Sequence, residues 1–122
     1  MGPTTEQIGE LAGDISGRFD PEQIILVGSH ARGTARPDSD MDILVVMDYS
    51  GSTIDQALRM LQSLDRHFAI DLLVRSPEEI VRRTRLGDFF LRDVLREGRV
   101  LYDRSHTRVS GESRGRLPER AA

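Results

Sequence analysis

Three short apolar runs do most to limit what this chain can fold into. Gln23 to Val27, Met41 to Met47 and Phe68 to Val74 are each five to seven residues long. Runs of that length, bounded by turn-forming residues, read as strands buried in a sheet. Segments with helical periodicity separate them. Ile8, Leu11, Ala12, Ile15 and Phe19 mark a first amphipathic helix from about Thr5 to Arg18, broken by Asp20-Pro21. Ile54, Ala57, Leu58, Leu61 and Leu64 mark a second, with Gly51, Ser52 and Thr53 as start signals. Ser76-Pro77-Glu78-Glu79 has the form of a capping box, and the helical region it opens runs to about Glu97 with an interruption expected at Gly87. Gly98 is expected as the left-handed residue that closes it, and Val100 to Tyr102 as a last short strand. The alternation places the chain in the α/β class.

At 122 residues there is room for one domain, expected to span residues 1–102. Residues 103–122 lack apolar periodicity and read as a flexible, arginine-rich tail. From Asp103 onward five arginines stand against three acids, so the chain's net charge of −3 leaves −5 on the preceding body. A net acidic body argues against a protein whose main task is gripping nucleic-acid backbone. No apolar run approaches the roughly 20 residues of a membrane span, and no signal segment opens the chain. With no cysteine there is neither a disulfide framework nor a thiolate site, which suits a cytoplasmic protein. All 17 basic residues are arginine, so every mechanism that needs a catalytic lysine is excluded.

Two of the apolar runs carry an aspartate where a core strand should avoid one. Asp42 lies in Met41-Asp42-Ile43-Leu44-Val45-Val46, and Asp71 in Ala69-Ile70-Asp71-Leu72-Leu73-Val74. A buried carboxylate needs a cation, a set of donors or a route to water. Asp40 precedes Asp42 by two residues, which on an extended chain directs both side chains to one face. With a third carboxylate from a neighbouring strand they form a hard-oxygen site suited to Mg²⁺, and a pair of such ions can clamp an in-line phosphoryl displacement. Gly28-Ser29, at the end of the first strand, lets phosphate approach the backbone and adds a hydroxyl donor. Arg32 is placed to bind phosphate as a fork.

Each element has a plainer meaning when taken alone. Gly28-Ser29 is a turn with an N-cap serine, Asp40 a solvated loop acid, and Asp42 and Asp71 acids paired with arginine. Arg32 could equally bridge Asp38 or Asp40, and His30 and His67 lack metal-ligand spacing. Their order along the chain is what favours the chemical reading: strand, Gly-Ser, loop, Asp-x-Asp entering a strand, helix, and a strand with an embedded aspartate. Rival phosphate chemistries fit less well. A receiver domain needs a lysine, a haloacid-dehalogenase site places Asp-x-Asp after its strand, and Gly28-Ser29-His30 breaks a dinucleotide-binding fingerprint.

Gly28-Ser29, ten residues, then Asp40-Met41-Asp42 resembles the GSx10DxD signature of the DNA polymerase β-type nucleotidyltransferase superfamily. Gly28-Ser29-His30-Ala31-Arg32-Gly33 and Asp38-Ser39-Asp40-Met41-Asp42-Ile43-Leu44-Val45 are similar to its minimal nucleotidyltransferase (MNT) branch in particular, as is Leu95-Arg96-Glu97-Gly98-Arg99-Val100-Leu101-Tyr102. The likeness runs from about Pro21 to Asp103, with Asp71 where the family has its third carboxylate. It implies a mixed β-sheet flanked by helices, with Asp40, Asp42 and Asp71 as catalytic, metal-binding residues for Mg²⁺, two ions in the usual form. Gly28, Ser29 and Arg32 would bind the nucleotide, ATP. Many MNT proteins are antitoxins of a HEPN-domain ribonuclease toxin, and some silence it by transferring AMP to a tyrosine. The resemblance therefore implies a HEPN toxin as partner and as company in any oligomer. The alternatives are an antitoxin that acts by binding alone and a stand-alone small-molecule nucleotidyltransferase. The drug-modifying enzymes of the superfamily hold their acceptor with a further helical domain that this length does not accommodate, which favours a protein acceptor.

Overall fold

In the computed structural model, residues 3–36, 38–65 and 68–106 are described. Pro37, His67 and the segment 107–122, which holds most of the expected tail, lie outside the described residues. The elements follow in the order α1 (Thr5–Phe19), β1 (Gln23–Val27), α2 (Gly28–Arg32), β2 (Met41–Val46), α3 (Thr53–Ser63), β3 (Ile70–Arg75), α4 (Pro77–Arg85), α5 (Phe89–Glu97) and β4 (Arg99–Asp103), with a 3-10 turn at Arg104–His106. The four strands form one sheet in the order β3-β2-β1-β4. β1 runs antiparallel to β2 and β4, whereas β2 and β3 are parallel and α3 supplies the crossover that a parallel pair requires. The sheet is mixed and helix-flanked, as the resemblance implies.

Period-two alternation divides the sheet's side chains between two layers. Ile24 and Leu26 of β1, Met41, Ile43 and Val45 of β2, and Leu72 and Val74 of β3 join Leu11, Ala12 and Ile15 of α1 and Met60 of α3 in one cluster. Ile25 and Val27, then Leu44 and Val46, face the other way and pack with Val94 of α5 and the partly buried Leu73 and Ile80. Both faces are covered, so β1 and β2 read as nearly unbroken apolar runs. Each fully buried aliphatic side chain contributes about 1.5–3 kcal/mol relative to exposure.

Local signals fix the ends of the helices. Ser76 and Glu79 form the expected capping box, with the Ser76 N–H donating to Glu79 Oε1 at 2.8 Å and the Glu79 N–H to Ser76 Oγ at 3.1 Å. Glu79 Oε1 also accepts from the Tyr49 hydroxyl at 2.9 Å, which ties α4 to the end of β2. Burial alone would raise the Glu79 pKa, but hydrogen bonds from the Ser76 backbone and Tyr49 outweigh it and hold the carboxyl below its ordinary value. Gly87, at φ +89, separates α4 from α5, and Asp88 caps the second helix.

Two expectations about the C-terminal part need correction. Gly98 is extended, at φ −70 and ψ 159, rather than left-handed. Glycine is needed there for space, because a Cβ would lie 2.6 Å from both Ile25 Cγ2 and the Val94 carbonyl oxygen. The fold also continues past Tyr102. Asp103 is buried at the end of β4, accepting from Gln23 Nε2 at 3.0 Å and from the Ser105 N–H at 3.0 Å.

Candidate active site

Alternation along the strands decides where the aspartates point. Asp42 shares a face with Leu44 and Val46, and Asp71 shares one with Leu73, so both project toward α5. The parallel register sets Asp42 directly opposite Asp71, while on the other side of β2 the antiparallel register sets Val27 opposite Asp42. Gly28 follows Val27 at φ +74, and a Cβ on it would land on the Asp42 carboxylate. Glycine is therefore required twice over, for its backbone angle and for its missing side chain.

These residues share a cleft of about 370 Å³ lined by Gly28, Arg32, Asp42, Asp71, Asp93 and Glu97 on its polar side and by Val27, Leu73, Val94 and Gly98 on its apolar side. Of the six residues singled out in the sequence, four line it. Ser29 lies one residue into α2, half-buried and outside the lining. Asp40 is exposed just ahead of β2, also outside the lining, yet close enough for its charge to act on Asp42. Its approach to the strand is shaped by loop contacts: the Arg36 N–H donates to Ser39 Oγ at 2.9 Å, and His30 Nε2 lies 3.2 Å from the Ser39 carbonyl oxygen. His30 thus has a structural partner.

The plainer alternative for the acids, pairing with arginine, is not realised among the described residues. Among the described residues no ion pair includes Asp40, Asp42 or Asp71. Arg32 bridges neither Asp38 nor Asp40; its Nη1 lies 3.9 Å from Glu97 Oε1. Burial, then the charges of Asp71 and Asp40, push the Asp42 carboxyl above its ordinary pKa, against the weaker opposing pull of His30 and Arg32. Asp71 differs from expectation in its surroundings. It stands exposed at the entry to β3, so its apolar neighbours in sequence do not bury its charge.

The donor set suits a divalent metal only in part. Carboxylate oxygens are the hard ligands Mg²⁺ takes, and the mutual repulsion felt by Asp42 marks a place where positive charge is favourable. Among the described residues, however, no three His, Cys, Asp or Glu side chains converge tightly enough to enclose an ion. That fits an ion carried on one or two carboxylates and completed by phosphate oxygens and water, the usual way proteins hold Mg²⁺.

Asp93 and Glu97 were not anticipated. They are four residues apart on α5, a spacing that shares a helix face but does not say which strand end the face will meet.

Comparison with known proteins agrees with the geometry. Residues 10–107 match the family model "Polymerase beta, Nucleotidyltransferase". The chain belongs to this family. It is 39% identical over 98 residues to a Methanocaldococcus jannaschii protein named "putative protein adenylyltransferase", spanning 80% of this chain and 92% of that one. It is also 32% identical over 82 residues to the bifunctional uridylyltransferase/uridylyl-removing enzyme of Rhodospirillum rubrum, although the match covers only 9% of that longer enzyme. Two solved structures share the fold. A "putative nucleotidyltransferase" from Sulfolobus solfataricus has a TM-score of 0.57 at 19% identity, covering 82% of this chain and 80% of that one. A toxin-antitoxin structure with AMP-PNP has a TM-score of 0.51 at 24% identity, covering 80% and 72%. This chain is a nucleotidyltransferase. No described helix is long and apolar enough to cross a membrane.

Proposed function

We propose that this nucleotidyltransferase moves AMP from Mg²⁺–ATP to a hydroxyl of a partner protein, acting in the cytoplasm as the antitoxin of a HEPN ribonuclease whose tyrosine is the acceptor. The observation that carries the reading is the Asp42–Asp71 pair, set opposite one another across β2 and β3 beside the glycine-floored end of β1. Asp40, Asp42 and Asp71 would hold the metal, two ions in the family's usual form, and metal bound there supplies charge neutralisation and activation of the attacking oxygen. Gly28 and Ser29 offer close backbone approach and a hydroxyl to the phosphates, and Arg32 offers a guanidinium fork at the same cleft. Asp71, exposed and lining the cleft, accepts the proton of the acceptor hydroxyl. The oxygen then bonds the α-phosphorus, the α–β phosphate bond breaks, and pyrophosphate leaves.

The M. jannaschii relative's name supports a protein acceptor, and the toxin-antitoxin fold neighbour supports the setting. A binding-only antitoxin is less well supported, because such a protein has no use for like-charged carboxylates that, among the described residues, have no arginine partner. Co-expression with the protein encoded by the adjacent gene, followed by intact-mass analysis, tests the proposal. A partner heavier by one or more AMP units, and unmodified when Asp42→Asn is used, is expected. A partner bound and silenced but never modified overturns catalysis in favour of binding.

A further inference from the structure

The α4–α5 corner exposes more apolar surface than its own packing accounts for. Leu86 and Phe89 are 78% and 75% exposed, and Val81 is 45% exposed on the outer side of α4. A shallow groove of about 600 Å³ runs along this side, lined by Pro77, Glu78, Val81, Arg82, Arg85 and Leu86. Arg83 pairs with Asp88 at 3.4 Å, but among the described residues Arg82, Arg85 and Arg92 form no ion pair, and Arg92 lies over the Phe89 ring at 5.9 Å. Arginines in the last turn of α4 are favourable to the helix dipole whatever else they do. That does not explain three large apolar side chains beside them. The corner is thus apolar and basic on a chain whose body is net acidic.

We infer that this corner docks an acidic, amphipathic helix of the acceptor protein, an inference that rests on the protein-acceptor reading above. Val81, Leu86 and Phe89 offer the apolar strip that a helix face fills, and Arg82 and Arg85 offer counter-charges for acids along its flank. Val81 and Leu86 are aliphatic and Phe89 is the one ring of the strip, already faced by Arg92, so the surface suits the mixed apolar face of a protein helix better than a run of stacked nucleic-acid bases. The position suits an acceptor. α5 begins at Phe89 in the corner and ends at Glu97 in the cleft, a length of roughly 12 Å at 1.5 Å per residue. A partner seated on the corner can therefore reach the Asp42–Asp71 pair with a neighbouring segment.

The probe is the purified polypeptide found to carry AMP in the co-expression experiment. Leu86→Glu, Phe89→Glu and the double reversal Arg82→Glu/Arg85→Glu are compared with the parent, reading kcat/KM for that polypeptide and the thermal shift given by Mg²⁺–ATP. All the altered side chains are exposed, so folding should be retained. We expect kcat/KM to fall at least about tenfold in each variant, the scale of losing an interface hot spot, while the Mg²⁺–ATP shift persists. Undiminished kcat/KM in the apolar variants overturns the docking site, and so does a lost Mg²⁺–ATP shift, which would show that the corner acts on the cleft. Undiminished kcat/KM in the arginine reversal alone overturns the acidic character of the partner helix. Competition by a single-stranded RNA oligonucleotide at the corner would favour RNA instead. If the parent modifies no polypeptide, the protein-acceptor reading has failed first and this inference goes with it.

Discussion

Asp42 and Asp71 sit opposite one another on adjacent parallel strands, two carboxylates on one face of the sheet, and among the described residues neither forms an ion pair with an arginine. Such a pair costs stability when both are ionised and empty-handed, and it repays that cost when a cation arrives. Asp42→Asn should remove the repulsion and keep the shape. We expect nucleotidyl transfer to fall by about 10²-fold or more, as loss of charge positioning does elsewhere. Without metal, the variant should melt at or above the parent near neutral pH. The sign follows from the raised Asp42 pKa: its stabilising contribution is present when the carboxyl is protonated and lost as pH rises through the folded-state value. The variant's advantage should therefore shrink as pH falls through that value. Thermal melts across pH check it, and an advantage that grows toward acid would refute the assignment of Asp42 as the strained acid.

Asp71 should behave differently because it is exposed. With no arginine partner to strand among the described residues, Asp71→Ala should leave the unfolding free energy within about 0.5 kcal/mol of the parent, as surface substitutions do. Transfer should nevertheless be abolished, and the stabilisation given by Mg²⁺–ATP should be much reduced. A variant that melts far below the parent yet responds fully to Mg²⁺–ATP would mean that Asp71 is structural.

Gly28 offers a test that changes no charged side chain. An alanine there must hold φ +74, at a cost of about 1–2 kcal/mol for a left-handed residue, and must also displace the Asp42 carboxylate. Gly28→Ala should lose both stability and Mg²⁺–ATP binding. Gly33→Ala has the same backbone problem at φ +79 but meets nothing within 4 Å, so it should lose stability while keeping affinity. Equal affinity in the two variants would show that the Gly28–Asp42 contact is irrelevant to the nucleotide.

What the sequence disclosed and what it withheld divide along one physical line. Local signals were readable: β1 from Gln23 to Val27, the Ser76–Glu79 box and the break at Gly87 all depend on near neighbours. The Asp-x-Asp entering β2 and the aspartate in β3 were readable as well, because a charge in an apolar run stands out. Exposure of Asp71 was not, since a strand's apolar composition does not say which of its ends reaches the rim. The role of Gly98 depends on how closely α5 meets β1, and the presence of Asp93 and Glu97 in the cleft on which face α5 turns inward. Both are matters of long-range packing, which periodicity along one element does not encode.

Glu97 leads to the last prediction. Its Oε1 lies 3.9 Å from Arg32 Nη1 and its Oε2 lies 4.0 Å from Arg96 Nη2, while Arg96 holds Asp93 at 2.7 Å. Among the described residues Arg32 is the cation lining the cleft, so the carboxylate holding it competes with any phosphate that needs it. Both partners are about half exposed, and a pair of that kind is worth about 0–1 kcal/mol, up to roughly fivefold in affinity. Glu97→Gln should therefore tighten Mg²⁺–ATP binding by about two- to fivefold, and Arg32→Gln should weaken it. The double variant decides the cause. If Glu97 acts by restraining Arg32, its removal should do little once Arg32 is gone, because the two changes share one interaction. If Glu97 acts only as a negative charge in the cleft, the same tightening should appear in both backgrounds. Calorimetric affinities for the four proteins, measured at one salt concentration, distinguish the two, and weaker binding by Glu97→Gln alone would show that the carboxylate assists the nucleotide rather than competing with it.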